Sequence, residues 1–564
     1  QIRSISRHAG GVVIADGLNR HMPLINSGGV QQTPWSEGQN VRHLEPLGFI
    51  KFDILGLASL RMVEGAISHI LRRHHGVENP TFADIKRYYD ENLEPNVLDL
   101  NDQKVYKNVF HRGKWAGVFQ FTEKGAQGFC KKAKPESIID ISAITSIYRP
   151  GPLSAKVNIH YVKAKKNPMG VKYLHPLVKE VTKETHGFLI FQEQIALLAH
   201  KLGKDLSLDE GNMLRKLLTK KGTGKGHEKK LAIHKKFIDG CTQKGIKESD
   251  AQTLWQTFEY FSGYGFNKSH AVSYSILSYQ CAHLLTYYPI EWLAAFLDKE
   301  PEGRKEQAIN IVRSLGYEVK RPDINESGQV WEISEIDKKT LVQPLTSIKG
   351  LGDKAVEQIL QHRPFNNAEE LLFNDSIVYS KLNKRALDVL TRSGALNTMV
   401  DDRFTGLKHF WSAVAVDRPK KKKDFLSNIE LYKPEGDFTK AEKMEFLTNL
   451  TGIYPINEVI SDKLLKKFGK LKVPSIGEYD RNLRLCWFII CDVLEKKTKT
   501  GKDYWILKTI DNQSNQIDIK CWGINPQLDY YKKNVPCMAK LDYNDTWGFS
   551  TRSFRRNIKF VEFD

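Results

Sequence analysis

The sequence has few cysteines, and no two of them form a CxxC pair. Its seven cysteines are spread over 564 residues, at positions 130, 241, 281, 486, 491, 521 and 537. Zinc ribbons and disulfide frameworks need closely spaced cysteines, so we predict neither. This usage favours a reducing compartment, and we expect a cytoplasmic protein.

Long apolar segments are also lacking. The first residues, QIRSISRHAGG, are polar, lack the apolar core of a signal peptide and do not begin with Met, which is compatible with a fragment or a processed product. The segment most like a membrane span is 271–290, which has no Asp, Glu, Lys or Arg but holds several Ser and Tyr residues, a Gln and His283. This modest hydropathy predicts a buried helix rather than a span.

Acidic residues are too few to balance the basic ones. Lys and Arg number 85 against 66 Asp and Glu, which gives a net charge of +19. Such an excess favours a polyanionic partner, and nucleic acid is the first candidate. A basic but unrelated soluble enzyme is the alternative. At 564 residues with 41% hydrophobic content, the chain can bury several cores, and we expect about three to five domains.

Hydrophobic periodicity predicts a multidomain α+β organisation. Residues 1–57 have the short apolar runs of strands and turns, whereas 58–320 have mostly helical spacing, interrupted by a loop at 149–152. A boundary is predicted near 321–345, before a small helical unit that extends to about 400. The lysine run at 419–424 is typical of a linker or a solvated face.

The last part of the chain, 478–564, alternates apolar and polar residues as strands do. A polar turn at 497–503 predicts a hairpin loop between two of these strands. Several short strands with aromatic residues favour a small closed β-barrel.

A lysine-rich stretch at 215–236 carries the strongest charge signal. It holds nine Lys or Arg residues and a single acid, Glu228. Phosphate groups would relieve the repulsion, and the alternative is a solvated surface loop. The glycines at 222–226 lack the spacing of a phosphate-binding loop.

Two further motifs predict anion-binding turns at helix starts. GYGFNKSHA at 263–271 precedes a predicted helix with Ser269 or Asn267 as its cap. SIKGLGDKA at 347–355 matches a helix-hairpin-helix, whose glycines present backbone amides to a DNA phosphate. A plain capping turn and a plain helix–helix turn are the respective alternatives.

Asp53 lies in an apolar strand-like run, where an unpaired carboxylate is costly to bury. Binding a divalent cation would explain it. Two-metal chemistry needs several carboxylates, and no second acidic strand is evident, because Asp99 and Asp102 lie in a polar turn and Asp542 and Asp545 in the barrel region.

Several segments together resemble one family, the bacterial family C DNA polymerases (DNA polymerase III alpha subunit). The matching motifs follow the family order and span nearly the whole chain. They are RHAGGVVI (7–14), KFDILGL (51–57), GVFQF (117–121), YRPGP (148–152), FQEQ (191–194), MLRK with KK (213–216 and 220–221), GYGFNKSH (263–270), the helix-hairpin-helix, and TGIYPIN (451–457) before the barrel.

The resemblance implies a four-part architecture. It comprises the C-terminal part of a nucleotidyltransferase-like palm (1–57), all-helical fingers (58–325), a helix-hairpin-helix and clamp-binding-like region with a linker (326–450), and an OB-fold domain with its lead-in (451–564). An OB-fold commonly binds single-stranded template through stacked aromatic residues. The candidates are Trp487, Tyr504, Trp505 and Trp522, at least half of which we expect to pack in the core.

The resemblance also implies site residues. Asp53 matches the third of three catalytic aspartates and would help to bind two Mg²⁺ ions, with Lys51 beside it. The residues implied to bind nucleotide or DNA are His8, Arg149, Gln192, Arg215, Lys216, Lys220, Lys221, Asn267, Lys268, Ser269, His270, Gly350, Gly352 and Lys354.

The implied function is template-directed DNA synthesis, with primed DNA and dNTPs as substrates. The family's N-terminal phosphoesterase-like domain, the strand with the first two aspartates and the thumb have no counterpart in this sequence, so an N-terminal polymerase portion in cis or in trans is an expected partner. A sliding clamp and a clamp loader are possible partners without a clear motif. A non-catalytic DNA-binding module is the main alternative, and an RNA-directed enzyme is a weaker one.

Overall fold

The protein is described by a computed structural model that divides into two compact units, residues 1–61 and 62–564. The described residues are 11–27, 29–35, 43–52, 56–219, 225–262, 265–452, 454, 460–498, 500–512, 516–525, 529–544 and 547–561.

The first unit contains short strands, as its sequence predicts. Strand β1 (Val12–Val13) pairs antiparallel with β4 (Lys51–Phe52), and β2 (Ile25–Ser27) pairs with β3 (Val30–Gln32). A single helical turn, α1 (Leu18–His21), follows β1. The position of Asp53, directly after β4, lies outside the described residues.

The following region is mainly helical, and its helices run from α2 to α16. They are α2 (Ala58–His75), α3 (Phe82–Asn92), α4 (Gln103–Val105) with a π-helical turn (Tyr106–His111), α5 (Lys124–Ala133), α6 (Ile138–Ile147), α7 (Pro150–Ser154), α8 (Val157–Lys166), α9 (Pro176–Thr182), α10 (Gln192–Leu202), α11 (Leu208–Thr219), α12 (Lys225–Gln243), α13 (Glu248–Ser262), α14 (Lys268–Tyr287), α15 (Pro289–Lys299) and α16 (Glu302–Ser314).

Helix α14 is the buried helix predicted at 271–290. Its side chains at Cys281, Ala282 and Leu284 are fully buried. In the described part of the chain, no helix combines the length and apolar character needed to cross a membrane. All seven cysteines, which are all described, are free thiols.

The loop predicted at 149–152 is only partly correct. Helix α6 ends at Ile147 and Arg149 is extended, so the interruption is real. Pro150 then begins α7, because the first position of a helix needs no backbone N–H and favours the fixed φ of proline.

Helices α10 to α13 share one core, in which Leu198, Leu214, Phe237 and Phe258 are fully buried. The lysine-rich stretch therefore lies on two packed helices, α11 and α12, wherever it is described, rather than on a solvated loop. Of the apolar residues between the lysines, Leu217, Leu218 and Ile233 pack in or against this core, whereas Leu231 is exposed.

The next region begins with a three-stranded sheet of order β5-β7-β6. Its elements are β5 (Glu318–Lys320), β6 (Glu332–Ile333), β7 (Thr340–Val342), α17 (Asp353–His362), α18 (Ala368–Leu372), α19 (Lys384–Arg392), α20 (Leu407–Trp411), a π-helical turn (Ser412–Val416), α21 (Lys422–Leu431) and α22 (Lys440–Thr451). The lysine run at 419–424 enters α21 with Lys420 to Lys423 exposed, so it is a solvated face.

The C-terminal region forms one seven-stranded sheet after α23 (Asp462–Lys470), with order β12-β13-β10-β9-β8-β11-β14. Its elements are β8 (Leu485–Lys497), β9 (Asp503–Ile510), β10 (Gln516–Trp522), β11 (Pro536–Lys540), β12 (Asp542–Asn544), β13 (Gly548–Arg552), α24 (Phe554–Asn557) and β14 (Ile558–Phe560).

The hairpin predicted at 497–503 joins β8 to β9, and Gly501 supplies its left-handed residue with φ of 81°. The predicted closure is wrong for the described residues, in which β12 and β14 are the two edges of the sheet. The result is a curled half-barrel, compatible with an OB-like fold, around a core that includes Phe488, Leu507 and Ile519.

Candidate nucleic-acid interface

Two motifs that are distant in sequence meet in a short parallel bridge between Phe191 and Phe266. The backbone N–H of Gln192 donates to the Phe266 carbonyl at 2.9 Å, and the N–H of Phe266 donates to the Ile190 carbonyl at 3.1 Å. The FQEQ segment that begins α10 therefore lies beside the FNKSH segment that begins α14. We call this junction, residues 190–194 with 265–270, the fingers junction.

Gln194 fixes the backbone of the FQEQ segment through its buried side chain. Its buried Oε1 accepts hydrogen bonds from the backbone N–H groups of Ile190 at 2.8 Å and Phe191 at 2.9 Å. Its Nε2 donates to Thr185 Oγ1 at 2.8 Å. A buried amide that is satisfied on both sides fixes the backbone that it contacts. Sequence reasoning did not assign Gln194, although it is the last residue of FQEQ.

Gln192 links the fingers junction to α11. Its Nε2 donates to the Gly265 carbonyl, and its Oε1 accepts from Arg215 Nη1, both at 3.0 Å. The Nε of Arg215 is shielded from solvent and has no hydrogen-bond acceptor within the described residues. Because Gln192 accepts from only one Nη of Arg215, the guanidinium retains other N–H groups that can donate to an anion.

Asn267 caps α14, which decides between the two predicted caps. Its Oδ1 accepts from the backbone N–H of His270 at 2.9 Å and from Ser269 Oγ at 2.6 Å. Its Nδ2 donates to Glu193 Oε1 at 3.0 Å, and the backbone N–H of Lys268 donates to Glu193 Oε2 at 2.9 Å. Glu193 therefore orients the turn from α10.

An exposed face of cations and rings lies on the fingers junction. The Arg149 guanidinium lies 4.1 Å from the centre of the Phe266 ring. The His270 ring lies 5.3 Å from that of Phe266 and 4.2 Å from that of Tyr274. Arg149, Ser269 and His270 are exposed, so this face can meet a solute.

Lys268 is engaged by an acid that sequence reasoning missed. Its Nζ lies 2.5 Å from Glu184 Oε1 and 5.7 Å from the centre of the Phe191 ring. The ammonium is therefore neutralised in this state. Glu184 and Glu193 are the acidic neighbours of these cations. The signal in the sequence was their position, because Glu193 lies within FQEQ and Glu184 lies seven residues before it.

Of the other predicted site residues, Lys51 and Lys216 lie in described elements. Lys51 lies in β4, in register with Val13. Lys216 lies in α11. His8, Asp53, Lys220 and Lys221 lie outside the described residues. Within those residues, no group of three or more His, Cys, Asp or Glu side chains could hold a metal ion.

The predicted helix-hairpin-helix turn has the expected backbone. Gly350 has φ of 89°, a left-handed conformation that favours glycine, and Gly352 caps α17 without a side chain. A Cβ at Gly350 would lie 3.2 Å from Nη2 of Arg385, which places this guanidinium over the turn. Lys354 donates to Glu357 at 2.8 Å, and this hydrogen bond raises the pKa of the Lys354 ammonium.

Two of the four aromatic candidates of the sheet are accessible to solvent, since Trp522 is exposed and Tyr504 is half-buried. Tyr504 and Trp522 are opposite in register, and their rings stack with centroids 4.7 Å apart. Trp487 and Trp505 are buried, with exposed fractions of 3% and 4%. The expectation that at least half of these residues pack in the core is confirmed.

Comparison with known proteins identifies the class to which these features belong. Residues 79–245 match the bacterial DNA polymerase III alpha subunit finger domain, and residues 316–406 match a helix-hairpin-helix motif. The finger match contains the FQEQ side of the junction, residues 190–194, and the second match contains the Gly350 turn.

Similar proteins of known name are DNA polymerase III alpha subunits. One from Xylella fastidiosa is 32% identical over 71% of this chain and 32% of its own length. Those from Borreliella burgdorferi and Aquifex aeolicus are 31% and 29% identical, over 84% and 92% of this chain and 40% and 42% of their own lengths. The chain belongs to the bacterial DNA polymerase III alpha-subunit family, and it spans about a third to two fifths of the length of these relatives.

Proposed function

We propose that this chain takes part in template-directed DNA synthesis, as a portion of a replicative polymerase that adds deoxynucleotides to a primer 3′ end. The observation that carries the proposal is the fingers junction. Arg149, Arg215 and Lys268 come from three separate segments and surround one exposed aromatic and polar face. This is the arrangement that a triphosphate or a DNA backbone would need.

The proposed role of these cations is electrostatic. Phosphoryl transfer depends on positioning and on neutralising charge at the phosphates, so fixed donors are worth more than mobile ones. Gln192 and Glu193 hold Arg215 and the start of α14 in place. The further residues proposed to face nucleotide or DNA are His8, Lys216, Lys220, Lys221, Asn267, Ser269 and His270.

The catalytic part of the proposal rests on Asp53, with Lys51 two residues before it. The run KFDILGL surrounds the Asp53 carboxylate with apolar neighbours in sequence, a setting that favours a bound cation over an unpaired charge. Mg²⁺ would neutralise charge on the attacking and leaving oxygens. Lys51 would balance charge on the primer or nucleotide beside that site.

The helix-hairpin-helix turn and the C-terminal sheet are proposed to bind the DNA duplex and the single-stranded template, respectively. The turn at Gly350 and Gly352, with Lys354, would bind a backbone phosphate of the duplex without reading bases. The curled sheet, proposed to be an OB-fold, would hold single-stranded template on Tyr504 and Trp522. The proposed domain limits are 1–57, 58–325, 326–450 and 451–564.

Primer extension tests the proposal directly. The purified chain is incubated with a primed template, four dNTPs and Mg²⁺, alone and with the N-terminal portion of an alpha subunit, and the Asp53→Ala variant is the control. We expect extension that requires Asp53. Extension that persists in Asp53→Ala would reject the catalytic role of this residue.

DNA binding separates the polymerase from a non-catalytic module. Because phosphate contacts release counterions, the logarithm of duplex affinity should fall linearly with the logarithm of salt concentration, by about 0.9 for each contact. Salt-dependent binding without extension under every condition would favour a DNA-binding module of the same family. Salt-independent binding would reject the basic face as the contact surface.

A further inference from the structure

A polar cavity of about 410 Å³ opens on the surface of the helical region. One wall is α8, and the opposite wall is formed by the segment after it and by the loop that follows α9. The side chains that give it its character are His160, Lys163, Asn167, Lys172 and His186. None of the described residues that line it is acidic.

Helix α8 distributes its lysines between two faces. His160, Lys163 and Asn167 are spaced at i, i+3 and i+7, so they lie on one helical face, toward the cavity. Lys165 points away from it and donates to the buried carboxylate of Asp140 at 2.8 Å. Lys165 is thus used for packing, Lys163 is left to the cavity, and Lys166 is exposed outside it.

The two lysines of the cavity have no carboxylate partner within the described residues, whereas other lysines of this region do. The ammonium groups of Lys201, Lys236 and Lys268 lie 3.1, 2.7 and 2.5 Å from glutamate oxygens. Lys163 and Lys172 come from different segments and bring two positive charges to one concave surface. An anion would remove the repulsion between these charges.

The back wall of the cavity is held in place by contacts with buried residues. His186 lies 3.7 Å from Asp140 Oδ1, which also accepts from the hydroxyl of the fully buried Tyr161 at 3.2 Å. Gly187 has φ of 86°, and a Cβ there would lie 2.9 Å from Val171 Cγ1. The glycine therefore allows these two segments to approach each other closely.

We propose that this cavity binds a phosphate group. A phosphate offers several acceptor oxygens, which match two ammonium groups, the Asn167 amide and imidazole N–H groups better than the two oxygens of a carboxylate do. The residues are not those of the fingers junction, so the inference goes beyond the proposed function. The two sources of such a group are the DNA backbone and free phosphates such as pyrophosphate.

A charge reversal on one helix tests the site in the intact chain. Lys163→Glu places an acid in the cavity, whereas Lys166→Glu makes the same change at an exposed position of α8 outside it. Binding of pyrophosphate is measured by calorimetry. We expect Lys163→Glu to lose at least about tenfold in affinity, a difference of about 1.4 kcal/mol, and Lys166→Glu to change it by less than twofold.

A second measurement distinguishes the source of the phosphate. Duplex DNA binding is followed by fluorescence anisotropy from 50 to 200 mM salt, and Lys163→Gln should reduce the salt slope by about 0.9 if a backbone phosphate occupies the cavity. An unchanged slope with weakened pyrophosphate binding would assign the site to free phosphates. Lys172→Glu, on a separate segment, should reproduce whichever result Lys163→Glu gives.

The inference is overturned if Lys163→Glu and Lys172→Glu both match Lys166→Glu in pyrophosphate affinity and Lys163→Gln leaves the salt slope of DNA binding unchanged. The calorimetric measurement needs no polymerase activity. A failure of primer extension therefore leaves this test intact, and a failure of this test leaves the proposed polymerase function standing.

Discussion

The ammonium of Lys268 and the carboxylate of Glu184 lie 2.5 Å apart, although 84 positions separate them in sequence. Both side chains are about one third exposed. Because the same lysine is proposed to face a phosphate, Glu184 competes with the substrate for it. The ion pair keeps the cation ordered before substrate arrives and must open when it binds.

Replacing Glu184 by Gln should strengthen binding of primed DNA by up to about fivefold. The change removes a partly exposed ion pair, for which about 0.2–1 kcal/mol is typical. Fluorescence anisotropy at fixed salt measures the effect. Glu180→Gln is the matched control, because Glu180 pairs with Lys201 at 3.1 Å on the preceding helix. Equal gains in both variants would show that net charge alone is responsible.

Replacing Asn267 by Ala should loosen the start of α14. The loss of an N-cap costs about 1 kcal/mol, so hydrogen exchange at the His270 amide should accelerate about fivefold. Asn267→Ser keeps a capping oxygen but loses the hydrogen bond to Glu193, and it should retain most of the protection. Protection that is unchanged in Asn267→Ala would show that Glu193 alone orders this turn.

Substitutions at the two hairpin glycines should separate folding from DNA binding. Gly350→Ala is strained by its φ of 89° and crowds Arg385, so it should lower the melting temperature. Gly352 has φ of −79° and open space around its Cβ position, so Gly352→Ala should fold normally. Its methyl group would nevertheless obstruct a phosphate at the start of α17. Wild-type duplex binding by Gly352→Ala would remove this turn from the interface.

Local patterns predicted most of the elements. Alternation alone predicts strand β10, and apolar composition with a cap at Ser269 or Asn267 predicts α14, because each signal lies within a few residues of the element that it specifies. The different burial of Tyr504 and Trp505 follows from the same alternation, because neighbouring side chains of a strand point to opposite faces of the sheet.

Distant pairings were not predictable in this way. The contact of Glu184 with Lys268 depends on how α9, α10 and α14 pack, and no local pattern encodes it. The same is true of the open edges at β12 and β14, because sheet closure depends on which strands meet rather than on the strands themselves. The catalytic prediction at Asp53 stays a prediction, since it lies outside the described residues.

The buried Asp140 should make stability depend on pH in the acid range. Burial by itself would raise the pKa of this carboxyl, but His186, Lys165 and the Glu136 amide together lower it to about 2. A lowered pKa means that the ionised form stabilises the fold. This contribution is complete above the ordinary value of 3.8 and is lost as the pH falls toward about 2.

Asp140→Asn measures that contribution. At pH 7 the variant should unfold with a free energy lower by about 2 kcal/mol, at about 1.4 kcal/mol per pKa unit, and the difference should shrink below about pH 4. Urea unfolding of the wild type and of Asp140→Asn at several pH values measures this difference in the free energy of unfolding. Asp90→Asn removes an exposed ion pair with Lys86 and should have little effect. A difference that stays constant from pH 7 to 3 would contradict the assigned pKa.

The sheet offers two tryptophans with opposite expected phenotypes. Trp522 stacks on Tyr504 at the surface, whereas Trp487 is buried and stacks on Phe468 with centroids 5.0 Å apart. Trp522→Ala should weaken binding of single-stranded DNA by about 1–3 kcal/mol if a base stacks there, with little change in melting temperature. Trp487→Ala should instead lower stability by about 3–5 kcal/mol.

Salt dependence identifies the kind of contact that Trp522 makes. Contacts to phosphates weaken as salt rises, whereas base stacking is much less sensitive. The affinity ratio between the wild type and Trp522→Ala should therefore persist at high salt, even as both affinities fall. An affinity ratio that falls toward one as salt rises would mean that the substitution disturbs nearby charges instead. A ratio of one at every salt concentration would show that this face of the sheet does not bind the single-stranded template.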